Sequence, residues 1–452
     1  MPDRGGRPRH PPSRGRTPRR AAEPVYGAPT ELVVTGIAAG GDGVGRVGGL
    51  VAFVPRTAPG DRVRVRLATG DRFARGALDA VLEPGPERVE PPCPHYVADR
   101  CGGCQLQHLA YDAQLAAKRV IVGDALARIG RMVADVAPVA ASPRPWRYRR
   151  KLTLALRRRG GRWVAGLHPY DAPGNVFALA DCPITDGRVV DVWRAVLAAA
   201  DHLPNDGPAL RGAVRLLGDG ADDLALGARA AFTLEGGRRW PGATALAEAV
   251  PALAALWWTP EGGRRQLVVD RRGDLLPGAS FAQVNPAMAA ELAAAVVDAV
   301  LAFAPARVVD AYAGAGDTAA ALAARGVYAT AIELDAEAAR YAADRLGRTG
   351  RAHVGRVEDE LPGALPADVV VLNPPRAGLD ARVPEALERA AAGAYGPAPH
   401  GLVYVSCNPG TLARDLGRLP SYRVRRVQPF DMFPQTAHVE TLVVLDRVAD
   451  HP

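Results

Sequence analysis

The sequence predicts an α/β protein: a doubly wound, mostly parallel sheet in the C-terminal part, a mixed α+β region before it, and a small β-barrel near the N-terminus. Three observations carry this expectation. From Phe281 onward short apolar runs alternate with helix-length segments, the pattern of parallel strands covered by helices on both faces. Between Glu31 and Leu82 the runs ELVVTGI, LVAFVPR, DRVRVRL and ARGALDAVL follow one another across turns containing Gly, Pro and Asp, as the strands of a small barrel do. A chain of 452 residues is also about three times a common domain length of roughly 150 residues. The boundaries fall at residues 1–23 (tail), 24–85 (barrel), 86–280 (central region) and 281–452 (doubly wound domain).

The tail is basic: within residues 1–20 seven arginines stand against the single acid Asp3, in a chain of net charge +8. So arginine- and proline-rich a stretch buries no core and is expected to be disordered. It either adds salt-sensitive attraction to phosphates or simply keeps the chain in solution. It lacks the apolar stretch of a secretory signal, and no run of about 18 apolar residues suits a membrane-spanning helix. A cytoplasmic monomer with no membrane contact is expected.

In the barrel, Gly40-Gly41-Asp42-Gly43-Val44-Gly45 and the stretch Pro59 to Val65 resemble a TRAM domain, an OB-like barrel that grips RNA. In the central region a helix is expected over Tyr111 to Arg128. A basic hairpin follows, with Arg147-Tyr148-Arg149-Arg150-Lys151 before LTLAL and Arg157-Arg158-Arg159-Gly160-Gly161 before RWVAGL. Arginines and aromatics on an alternating strand suit either an RNA-facing surface or a solvated strand face. Residues 190–275 show no chemistry.

The doubly wound part holds the reactive groups. A strand over residues 307–312 runs into Gly314-Ala315-Gly316, where glycines let a ligand approach the start of the next helix. Asp317 and Thr318 are the expected caps of that helix. Glu333 ends the following strand, 17 positions after Gly316, where an acid can take ribose hydroxyls. A dehydrogenase would share this much. Asn373-Pro374-Pro375-Arg376, a rigid turn at a strand end, resembles the motif that methyltransferases set between cofactor and substrate. Ser406-Cys407-Asn408-Pro409 puts a cysteine at a strand end on the rim of the sheet, where a nucleophile belongs. The last two strands are joined by only a short connection, too short for a parallel crossover. The final strand should therefore be antiparallel, which brings Glu440 at its start to the same rim as Asn373 and Cys407.

These motifs, together with Phe281-Ala282-Gln283-Val284-Asn285, Asp310 to Gly316 and His438-Val439-Glu440, resemble the RNA 5-methyluridine methyltransferases from the barrel to the C-terminus. The resemblance implies a Rossmann-like class I domain that uses S-adenosylmethionine to methylate C5 of a uridine in structured RNA. Ribosomal RNA is preferred over transfer RNA. Gln283, Tyr312, Glu333 and Asn373, beside Gly314 and Gly316, would hold the cofactor, with Cys407 as nucleophile and Glu440 as proton acceptor. Two positions depart from the family: Asn373 stands where aspartate is usual, and Ala313 where cysteine is.

Cys93, Cys101 and Cys104, spaced C-x7-C-x2-C, and Cys182 before Pro183 suit a four-thiolate site for zinc or a [4Fe–4S] cluster. Disulfides do not belong in a cytosolic protein. The resemblance implies the cluster. Two rivals are an amino-group methyltransferase that uses Asn373-Pro374-Pro375, and a catalytically silent RNA-binding or chaperone protein. Activity surviving the loss of Cys407 would favour the former, and failure to bind the cofactor the latter.

Overall fold

The structure, a computed structural model, describes residues 25–207, 209–218, 229–272 and 283–448. The basic tail expected at residues 1–23, and Phe281 and Ala282 ahead of Gln283, lie outside them. Among the described residues no helix is long and apolar enough to cross a membrane.

Five strands form a closed barrel in the order β1-β2-β3-β5-β4: β1 (Pro29–Ile37), β2 (Gly43–Val47), β3 (Leu50–Val54), β4 (Arg62–Thr69) and β5 (Ala74–Glu83). Alternation along each strand fills it. Leu32, Val34, Ala52, Val54, Val63 and Val65 point inward, while Arg62 and Arg66 point outward to Glu31 and Asp79.

A short helix α1 (Pro94–Val97) and a long one, α2 (Tyr111–Arg128), lead to the central sheet. Its order is β12-β11-β10-β9-β6-β7-β8, with β6 (Lys151–Arg159), β7 (Arg162–Leu167), β8 (Phe177–Ala178), β9 (Ala209–Leu216), β10 (Ala230–Glu235), β11 (Leu253–Thr259) and β12 (Gln266–Asp270). Helices α3 (Gly187–Ala198) and α4 (Ala243–Ala249) cover one face, because every second residue of β6, Leu152, Leu154 and Leu156, is apolar and buried against Val189 and Trp193. Trp193, Phe232 and Trp240 meet edge to face there, with centroids 5.6 and 6.4 Å apart. Lys151, Thr153 and Arg157 alternate onto the opposite face. The β6–β7 turn holds Gly160 and Gly161 at φ 56° and 81°, a conformation that two-residue hairpins require and glycine adopts without strain.

The third sheet runs β15-β14-β13-β16-β17-β19-β18. Its elements are α5 (Pro286–Leu301), β13 (Arg307–Ala311), α6 (Asp317–Ala323), β14 (Tyr328–Glu333), α7 (Ala336–Leu346), β15 (Gly350–Val354), α8 (Val357–Ala364), β16 (Val369–Leu372), α9 (Arg382–Ala391), β17 (Gly401–Ser406), α10 (Pro409–Leu416), β18 (Tyr422–Phe430) and β19 (Glu440–Arg447). Every residue of β16 and β17 is buried, as expected of parallel strands covered on both faces. β19 pairs antiparallel with both β17 and β18, so the parallel sheet ends in an antiparallel hairpin as the sequence predicts.

Although it lies early in the chain, α2 packs on this third sheet. Val122, Leu126 and Val136 share a core with Leu412 and Val427. The chain after α2 then runs parallel to β18: Ala137 N–H donates to the Val427 carbonyl (3.0 Å) and Ala140 N–H to that of Pro429 (2.9 Å).

Candidate active site and cysteine cavity

At the end of β13 the backbone reverses through Tyr312, Gly314 and Gly316, at φ 63°, 56° and 74°. A Cβ on Gly314 would meet nothing within 4 Å, whereas one on Gly316 would lie 2.6 Å from the Ala342 Cβ of α7. Gly314 is therefore open to an approaching ligand, and Gly316 lets the turn close against a helix. Gly316→Ala combines a left-handed conformation, costing about 1–2 kcal/mol for an L-residue, with that clash. Its expected result is an unfolding free energy lower by at least about 1–2 kcal/mol together with weaker cofactor binding. Denaturant titration and calorimetry read the two losses, and wild-type values for both would contradict this account of the turn.

Contrary to expectation, Asp317 and Thr318 do not cap α6; its N-cap is Gly316, with no side-chain bond. The Ala319 N–H is taken instead by Asp310 Oδ2 from β13 (3.1 Å), while Asp317 pairs with Arg345. A strand carboxylate aimed at a helix start does the work of a cap from a distance that local sequence rules do not scan. Burial raises the Asp310 pKa to about 7. Glu333 accepts the N–H groups of Gly314 (2.9 Å) and Asp335 (2.7 Å), one on each oxygen. Its carboxylate is thus fixed beside the turn with lone pairs to spare for a hydroxyl.

Three strand ends make the rim. Asn373 follows β16, exposed, with its N–H donating to the Ala311 carbonyl (3.3 Å). Cys407 follows β17 and is half-buried. Ser406 pairs with Thr441, so the antiparallel register sets Cys407 and Glu440 at neighbouring ends of adjacent strands. Burial raises the Cys407 thiol above its ordinary range and the Glu440 charge adds to this, while Arg376, charged and hydrogen-bonded to the thiol, acts the other way. Glu440 is 4% exposed. Burial lifts its pKa to about 7, against the opposing pull of a Gln283 hydrogen bond and the Arg376 charge. Its Oε2 is buried with no hydrogen-bond partner among the described residues. A carboxylate with a vacant lone pair and a near-neutral pKa is suited to accepting a proton. Arg376 acts on both groups and was not among the site residues expected from sequence. Its signal was an arginine where amino-group methyltransferases place an aromatic.

Cys93, Cys101, Cys104 and Cys182 are buried, unbridged, and line one cavity of about 240 Å³. Its wall continues to Arg149, Phe433, His438 and Arg376, so the thiols and the rim share a boundary. Burial pushes Cys101 up to about 11 and Cys104 higher, with the neighbouring thiols adding to each. Among the described residues, no three His, Cys, Asp or Glu side chains are grouped to hold a single metal ion.

A second cavity, of about 400 Å³, lies on the open face of the central sheet, lined by Lys151, Thr153, Arg211, Thr233, Glu235 and Arg265 among others. Thr153 borders both cavities. Partial burial first, and then the charges of Arg215, Arg149 and Arg211, hold the Lys151 pKa below its ordinary value, with Glu235 acting the other way.

The model of the tRNA (uracil-5-)-methyltransferase family matches residues 345–448. An uncharacterized RNA methyltransferase of Thermosynechococcus vestitus is 34% identical, over 93% of this chain and 98% of its own. Another, from Halalkalibacterium halodurans, is 32% identical over 92% and 96%. The crystal structure of Pyrococcus abyssi tRNA (uracil-54, C5)-methyltransferase in complex with S-adenosyl-L-homocysteine has a similar fold, with a TM-score of 0.66 over 92% of this chain and 99% of that one, at 24% identity.

Proposed function

Because this chain belongs to the family of S-adenosylmethionine-dependent RNA (uracil-5-)-methyltransferases, we propose that it methylates C5 of a uridine in structured RNA through a covalent bond from Cys407 to C6. One observation carries this: beside a half-buried thiol at the end of β17 stands Glu440, whose Oε2 is buried and has no hydrogen-bond partner among the described residues. C5 of uracil is a weak nucleophile. Addition of the Cys407 thiolate to C6 makes C5 enolate-like and able to take a methyl group. S-adenosylmethionine, bound at the Tyr312–Gly316 turn beside Glu333 and Asn373, supplies that group as an electrophile. C5 then carries both the methyl and its original hydrogen. Glu440 accepts the proton, the C5–H electron pair becomes the C5–C6 double bond, and the thiolate leaves. The base must be flipped from its stack to enter such a site.

Both groups act deprotonated, and burial raises the pKa of each, so raising the pH increases both active forms. The single-turnover rate is expected to climb through pH 7, near the Glu440 value, and to keep rising as the Cys407 thiolate fraction grows. A rate that falls between pH 6 and 8 would count against these roles. The direct test of the reaction is incubation with labelled cofactor and unmodified total RNA, followed by mapping of the labelled nucleotide. Label on ribosomal-RNA 5-methyluridine is expected. Label confined to transfer RNA would correct the substrate, and label on an amino group would reject the chemistry.

The RNA path is supported by the basic cavity that shares Thr153 with the cysteine cavity, where an anion would relieve the crowding around Lys151, and by the TRAM-like barrel. By donor set the four cysteines suit a [4Fe–4S] cluster or zinc, and the family resemblance favours the cluster. Four buried thiols lining one cavity supply the donor set that such a cluster needs. Methyl transfer needs no electron, so a structural role is assigned to it.

A further inference from the structure

Asp431 to Val439, which deliver Glu440 to the rim, are held mainly from outside their own sheet. Lys118 on α2 donates to Asp431 Oδ1 (2.5 Å) and to the Phe433 carbonyl (3.0 Å). Tyr111, also on α2, donates to Asp431 Oδ2 (2.8 Å). Both ends of the Lys118–Asp431 pair are 0% exposed. Tyr148 donates to the Pro434 carbonyl (3.0 Å). Gln435, at φ 70°, is gripped from two directions. Its N–H donates to Gln114 Oε1 and its Oε1 accepts from Gln114 Nε2, both at 3.0 Å. Its carbonyl accepts from the N–H groups of Gln105 and Leu106 (3.1 and 3.0 Å), which directly follow Cys104.

A fully buried ion pair is a poor way to gain stability, because desolvation offsets most of the attraction and apolar side chains would serve as well. What it supplies is a single geometry: an ammonium and a carboxylate with defined hydrogen bonds do not slide as two leucines can. The segment needs such a frame, because among the described residues its terminal carboxylate has only Gln283 as a side-chain hydrogen-bond donor and an oxygen with none. We propose that Lys118 is a positioning residue for Glu440, acting with Tyr111 and Gln114 by fixing the path of the Asp431–Val439 segment so that the carboxylate meets the proton on C5. The proposal rests on the reading of Glu440 as the base. Through Gln105 and Leu106 it ties the cysteine loop to the same step.

The consequence is specific to one stage. Thiol addition and methyl transfer use Cys407 and the cofactor turn, neither of which the segment carries; proton removal depends directly on where Glu440 sits, whereas the Glu440 charge touches the earlier steps only by raising the Cys407 thiol. The test is a denaturing gel that follows the methylated protein–RNA adduct over time, with melting curves, for wild type, Glu440→Gln, Lys118→Met and Gln114→Ala. Lys118→Met is expected to form the methylated adduct at near the wild-type rate and to resolve it on the order of tenfold to a hundredfold more slowly, the effect of misplacing a catalytic group by about 1 Å. Gln114→Ala should show the same pattern to a smaller degree. A folded Lys118→Met that resolves the adduct at the wild-type rate, or that loses formation and resolution in equal measure, overturns the proposal. If Lys118→Met does not fold, Gln114→Ala, which keeps the ion pair, decides by the same criterion. If Glu440→Gln itself accumulates no adduct, the assignment of the base fails and the positioning role falls with it. Accumulation in Glu440→Gln but not in the α2 variants removes the positioning role alone.

Discussion

Cys407→Ala will form no covalent bond to RNA and will lose methyl transfer by at least about 10⁴-fold, the scale seen when a covalent nucleophile is deleted. Without the thiolate, C5 stays part of a conjugated ring and has no electron pair to offer the cofactor methyl. Glu440→Gln will behave differently, because the first two steps do not need the carboxylate. The amide has nearly the same shape but cannot accept the C5 proton, so the protein should add, methylate, and then stall as an adduct that survives denaturation. Labelled RNA and labelled cofactor in one denaturing gel read both outcomes. Uridine methylation by Cys407→Ala, or normal turnover by Glu440→Gln, would take that residue out of the mechanism. The near-neutral pKa of Glu440 makes the contrast sharp, since in the wild type the base is substantially ionised at ordinary pH.

Protein purified without oxygen will be brown and contain about four irons per chain. Stripping the metal should lower the melting temperature by on the order of 10 °C, the equivalent of about 3–5 kcal/mol in a protein of this size. The reason lies in the packing: Cys93, Cys104 and Cys182 belong to the core of the central region with Tyr148 and Leu152. Removing what links them leaves polarisable thiols facing a void that collapses only in part. Cys104→Ser should retain little iron and lose the same stability. One tightly bound zinc with no iron, or an unchanged melting temperature after removal, would reject the assignment.

How much of this was legible in the sequence depended on the range of the signal. The doubly wound sheet could be read because β16 and β17 are runs of apolar residues. The antiparallel end followed from a connection too short to cross over. That argument also set Glu440 beside Cys407, since reversing a strand moves its start to the rim where its parallel neighbours end. The cap of α6 was misread because the acceptor for the Ala319 N–H, Asp310, comes from the preceding strand. Arg376 entered the sequence reading only as the last residue of the Asn373-Pro374-Pro375-Arg376 turn, with no role of its own. Lys118 and Asp431, 313 residues apart, carried no local signature. Lys118 stands among the polar residues of a helix whose apolar ones, Ile121, Val122 and Leu126, are also buried, and periodicity does not say what a buried lysine faces.

The packing of α2 on the third sheet bears on how the molecule is made. Val122, Leu126 and Val136 complete a core whose other members include Val427 and Leu445, so the catalytic sheet takes its final covering from a stretch synthesised hundreds of residues earlier. Contacts of such sequence separation form slowly, because the loop between them must be closed before they contribute. During translation α2 waits with its apolar side uncovered until the last strands emerge, and a folding intermediate of this kind is prone to self-association. The catalytic part is therefore not a module that can be cut out. A fragment beginning at Gln283 would expose the flank of β18 that residues 136–140 occupy, an unpaired strand edge of the sort that draws chains together.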